Sequence, residues 1–113
     1  MSMRVKIEVQ TILSNEVFAK ARANGAPYVG ANSVDYSKTY ELGDSASVFQ
    51  ALRSAVGDSK REWTAVEEIV YVTGDNVTPV WRSSLPEKVL QSKLNGMTLH
   101  KGGVFALRVL DSS

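Results

Sequence analysis

His100 is the only histidine in the chain, and it stands in "HKGGV" immediately before the most apolar stretch of the sequence. Histidine is the residue type most often used as a general acid or base, so this is the first place to look for catalysis. Such a group needs an orienting partner or a nucleophile to activate. The sequence supplies no second histidine, no HxxxE spacing, no nucleophile elbow and no cysteine. The segment therefore reads as a turn, with His100 exposed beside Lys101 and the glycines Gly102 and Gly103 serving the backbone. No catalytic residue is assigned.

Two glycine-containing loops, "LGDSAS" and "HKGGV", invite comparison with phosphate cradles. Neither has the Walker or dinucleotide spacing, and Asp44 would put a carboxylate where a phosphate should sit. No cofactor is expected. Glu67 and Glu68 are adjacent in a strand-like run, so they point to opposite faces and cannot share a site. The chain offers no convergent set of oxygen or nitrogen ligands, and no metal is expected.

Aromatic and basic residues are interleaved in "DSKREW" and "VWRSS", which bring Arg61 near Trp63 and Trp81 next to Arg82. This chemistry suits single-stranded nucleic acid, and tryptophan and arginine are also the usual anchors of protein interfaces. Trp81 follows Pro79, which lacks a donor N–H and so belongs on an edge strand, where the indole could face a partner. A second partner-facing candidate is the Ala-, Asn- and Gly-rich excursion around Tyr28. The expected partner-binding residues are thus Trp81, Arg82, Tyr28, Trp63 and Arg61.

The elements that hold these residues follow from periodicity. "MRVKIEVQTIL" alternates Val5, Ile7 and Val9 with charged residues, the mark of a strand with one solvated face. Residues 14–35 are read as an extended arm or hairpin, because Val17, Ala19, Ala21 and Ala23 alternate before Asn24-Gly25. The alternative there is a short helix capped by Ser14 or Asn15 and closed at Gly25. Tyr36 to Leu42 reads as a strand. A main helix over 45–56, capped by Asp44 or Ser45, carries the stripe Val48, Phe49, Leu52, Ala55 and Val56, with Gly57 in the C′ position.

Val66 to Val72 and Val77 to Arg82 form a strand pair around "TGDN". Ser84 and Glu87 make a capping box for a helix with Leu85, Val89, Leu90 and Leu94 on its apolar side, ended by Asn95-Gly96. Val104 to Leu110, interrupted only by Arg108, reads as the central strand. Together these predict a single α+β domain over residues 1–113, with a flexible excursion at 14–35. Its sheet would be mixed or antiparallel, of about four to five strands, packed on one main helix (45–56).

The helix in "KTYELGDSASVFQALRSAV" resembles the single helix that follows the first hairpin of the β-grasp, or ubiquitin-like, superfold. The tail "LNGMTLHKGGVFALRV" is similar to its last element, in which a leucine and a glycine turn precede the final central strand. The resemblance covers roughly residues 36–110 and implies a β-grasp-like sheet. It differs in the long stretch between the first two strands. A ferredoxin-like α+β arrangement is the alternative if residues 15–24 are helical. In ubiquitin-type carriers a terminal Gly-Gly is activated, whereas Gly102-Gly103 here is internal, with a core strand downstream.

Thirteen basic and twelve acidic residues leave a net charge of +1, which argues against nucleic acid as a general partner while leaving room for a local patch. No apolar run approaches the ~20 residues of a membrane helix, and the first residues lack the h-region of a signal peptide. A cytoplasmic, non-enzymatic protein-interaction or assembly module is expected, pairing with itself or another protein. Its size and lack of cysteine would suit a phage or virion component, in the host cytoplasm or the virion. A small-ligand or nucleic-acid binding domain, or a small enzyme using His100, is the alternative.

Overall fold

A computed structural model of the chain describes residues 3–43 and 47–110. The elements are β1 (Met3–Ile12), α1 (Asn15–Ala23), β2 (Asn32–Leu42), α2 (Val48–Asp58), β3 (Val66–Thr73), β4 (Asn76–Arg82), α3 (Glu87–Gly96) and β5 (Val104–Leu110). A one-turn 3-10 helix at Trp63–Ala65 leads into β3. The strands form one mixed sheet in the order β2-β1-β5-β3-β4. Its β1 and β5 strands run parallel, and the remaining neighbours are antiparallel. This is the α+β class the sequence predicts, with β5 at the centre.

The alternation in β1 sorts the two faces. Val5, Ile7 and Val9 point to the face that α2 and α3 cover, where Leu52, Ala55, Leu90, Ile69, Phe105 and Leu107 complete the main core. Burying each large aliphatic side chain there stabilises the fold by roughly 1.5–3 kcal/mol. On the opposite face Gln10, Glu68, Ala106 and Arg108 are buried although three of the four are polar or charged. What covers them is the stretch that the sequence presents as an excursion.

Residues 14–35 are neither an arm nor a hairpin. Asn15–Ala23 is helical, and the Ser14 hydroxyl at the N-cap accepts a hydrogen bond from the Val17 N–H. The alternation of Val17 with alanines is a weaker signal than this cap, because alanine is at ease in a helix. Phe18 and Tyr28 pack with Ile12 to form a small second core on the far face. β2 also begins earlier than expected, at Asn32, and pairs with β1 along its whole length apart from one bulge.

Two further expectations change at helix ends. Gly57 lies inside α2, and the chain leaves the helix through Ser59 and Lys60, the latter in the left-handed region at φ 67°. The capping residues expected at Asp44 or Ser45 lie outside the described residues. The Ser84 capping box does not form, because α3 starts after Pro86 and the Glu87 carboxylate reaches across to Arg53 of α2 at 3.2 Å. No helix among the described residues is long and apolar enough to cross a membrane.

Candidate functional site

Three pieces of chain enclose a cleft of about 860 Å³ on the α2–α3 side of the sheet. The first wall is the β3–β4 hairpin. Tyr71 lies opposite Thr78 in the register, and Thr73 follows two residues on, so all three share one face. A two-residue turn opened by Gly74 at φ 58° sets that register. The second wall is one side of α3, where Lys88, Val89, Ser92, Lys93 and Gly96 recur at helical spacing. Leu90 and Leu94, on the other side of the same helix, are anchored in the main core. Val89, expected in that core, instead lines the cleft and is 37% exposed.

The third wall is the connection from α3 to β5, through Met97, Thr98 and His100. The Tyr71 hydroxyl fixes it by accepting the His100 N–H at 2.8 Å and donating to the His100 carbonyl at 3.3 Å. That carbonyl also accepts the Gly103 N–H, closing the turn that Gly102 makes possible at φ 82°. A Cβ at Gly103 would collide with the Tyr71 hydroxyl. Both glycines therefore do backbone work, as the sequence indicates, and they place His100 at the rim.

The electrostatics of the cleft are one-sided. Lys88, Lys93 and His100 line it, together with five hydroxyl side chains, and among the described residues no carboxylate does. The arginines, by contrast, are all committed: Arg4, Arg22, Arg53, Arg61, Arg82 and Arg108 each lie within 4 Å of an acidic side chain. Lys88 and Lys93 form no ion pair among the described residues. A volume in the range of small-molecule sites, an apolar lining from Val89 and Met97, and a few polar groups are the usual make-up of a ligand cleft.

The residues singled out for partner binding lie elsewhere, in internal contacts. Tyr28 has no exposed surface; its N–H donates to Glu68 at 3.0 Å, and its carbonyl accepts from Arg108. Trp81 is 8% exposed, stacks on Trp63 with ring centroids 6.2 Å apart, and donates its indole N–H to the Pro86 carbonyl. Trp63 is half-buried, with the Arg53 guanidinium over its ring. Arg82 donates to the carbonyls of Arg22 and Ala26, closing the end of α1.

Arg61 bridges Asp35 and Thr11, each at 2.7 Å. Burial alone would raise the Asp35 carboxyl, but hydrogen bonds from Thr11 and Ser33 and the Arg61 charge outweigh it and hold it below its ordinary value. These five side chains position the second core and the α2–β3 connection, and none of them lines the cleft.

The cleft residues carry a faint signal in the sequence. Lys88, Ser92 and Lys93 make a polar stripe on a short helix, a pattern shared with any solvated helix face. Comparison with family models, with curated proteins and with solved structures finds no match to this chain.

Proposed function

We propose that this protein is a non-enzymatic binding module that takes a small ligand in the cleft between α3 and the β3–β4 hairpin. The single observation that carries this reading is the large cleft whose lysines form no ion pair among the described residues while every arginine is engaged. A binding role, as opposed to a catalytic one, is supported by the setting of His100: among the described residues no carboxylate lines the cleft to orient its ring. A β-grasp likeness is supported by the parallel central pair β1–β5 and by α2 following β2, with α1 as an insertion between the first two strands. Fold likeness carries no ligand with it.

The test is a small-molecule screen read by amide chemical shifts. Ligands should move Thr73, Thr78, Lys93, Met97 and His100 together and leave β2 unmoved. A screen in which no compound shifts this group overturns the reading.

A second reading, self-association, is favoured by β2. Among the described residues this 11-residue strand pairs with β1 alone and leaves its outer edge open at the end of the sheet. Open edges are templates for another strand. Light scattering across a concentration series should show an oligomer, and a monomer at the highest concentrations rejects that assembly.

A further inference from the structure

Resting on the cleft reading above, we infer that the ligand is a phosphate monoester with an apolar or aromatic body. The charge balance points to an anion. Lys88 and Lys93 bring two positive charges to the α3 wall, His100 stands at the rim, and among the described residues the lining holds no acidic side chain. Asp75, in the hairpin turn beyond Thr73, is outside the lining, and Glu87, at the start of α3, is turned away to Arg53.

The type of cation narrows the class. Arginine provides a planar fork for two-point recognition, whereas lysine acts as a compact charge that binds phosphate without demanding one orientation. The arginines of this chain are spent on its own carboxylates, and the cleft is furnished with lysines. Phosphate also needs several hydrogen-bond donors around it, and Ser92, Thr73, Thr78 and Thr98 provide hydroxyls in the same lining. A phosphate monoester carries −1.5 to −2 charges near neutrality, which matches the two lysines. Val89, Met97 and the Tyr71 ring give the rest of the molecule an apolar seat. The size of the cleft fits one small organic molecule in preference to a bare ion.

The experiment uses the full chain and four probes: 1-naphthyl phosphate, 1-naphthoate, 1-naphthol and inorganic phosphate. Binding is followed by the amide shifts of Ser92, Lys93, Met97, Thr98 and His100. The naphthyl phosphate should bind about ten-fold or more tighter than naphthol, as hydrogen bonds to charged groups outweigh neutral ones. Its affinity should fall with added salt.

The double variant Lys88→Gln/Lys93→Gln should lose that advantage while binding naphthol unchanged. Lys88→Arg/Lys93→Arg should keep it, and both variants should keep the wild-type amide spectrum outside the cleft, since the two lysines are exposed. Naphthol binding as tightly as the phosphate overturns the anion and leaves the cleft reading standing. Naphthoate matching the phosphate overturns the phosphate class, and inorganic phosphate matching it overturns the apolar body. Silence of all four probes at the cleft amides overturns this inference, whereas the cleft reading falls only if the wider screen is silent there too.

Discussion

Replacing Arg108 by methionine tests the charged centre of the far face. Arg108 and Glu68 lie on neighbouring central strands, 6% and 3% exposed, with a guanidinium nitrogen 2.9 Å from the carboxylate. The same nitrogen donates to the Tyr28 carbonyl, and the guanidinium stands 5.7 Å from the centre of the Tyr28 ring. Arg108→Met removes these contacts and leaves a buried carboxylate. Removing one partner of a buried pair costs about 3–5 kcal/mol. Glu68 would retain the Tyr28 N–H and the more distant Arg82 at 3.9 Å, which places the cost near the lower end, at about 3 kcal/mol.

For a domain of this size such a loss lowers Tm by about 10–15 °C. Urea unfolding followed by fluorescence of Trp81 in the main core and of Trp63 stacked on it gives the free energy directly. Glu68→Leu/Arg108→Met removes both charges together. It should recover part of the loss, because the buried carboxylate goes with its partner, while the Tyr28 N–H and carbonyl stay unpaired at about 1 kcal/mol or more each. If the double variant is no more stable than Arg108→Met, or if the single change costs under about 1 kcal/mol, the pair is not what holds this face together.

Gly103→Ala should destabilise the fold by about 1–3 kcal/mol through overpacking against the Tyr71 ring, and Tyr71→Phe in that background should return part of it. Both are measured by urea unfolding. Ser14→Ala should weaken α1 by about 1 kcal/mol and raise hydrogen exchange there while leaving the cleft amides unmoved. The lowered Asp35 carboxyl fixes the sign of one acid-side effect. Its stabilising contribution is full above the ordinary carboxylate value of 3.8 and is lost as pH falls through its depressed folded-state value. Asp35→Asn should therefore flatten the fall of unfolding free energy below about pH 4, and an unchanged slope would refute the Arg61–Asp35–Thr11 clamp.

Much of the fold is legible in the sequence because its signals are local. The β1 alternation, the α2 stripe and the apolar run of β5 each specify an element from neighbouring residues. Here β5 is placed as read, α2 is helical but runs Val48–Asp58, and the face of β1 read as solvated is buried at Gln10 and Ile12. The stretch from Ser14 to Asp35 resists such reading because its order comes from afar. In α1 only Phe18 is buried, and the cover is secured by Arg82, 56 residues from Ala26, and by Arg108, 80 residues from Tyr28.

The same distance hides the roles of the aromatic and basic residues. Arg61 and Arg82 look available in sequence because their partners are remote, and Trp81 looks exposed because the Trp63 stack cannot be inferred from spacing. The cleft is hidden for a related reason. Lys88, Ser92 and Lys93 are an ordinary polar helix face until the hairpin carrying Thr73 and Thr78 is set opposite them.

The two faces of the sheet differ in how they are sealed, and this has a consequence for unfolding. The α2–α3 face rests on a broad apolar core, while the cover formed by α1 and Tyr28 rests on three buried apolar side chains and a set of charge-assisted bonds. Cooperative units with fewer apolar contacts open at lower free energy than the whole. The chain is thus built as two tiers of stability. Native-state hydrogen exchange should show the α1 amides escaping through a partial opening that bares Glu68 and Arg108 to water. The amides of β5 and α2 should exchange only when the molecule unfolds globally.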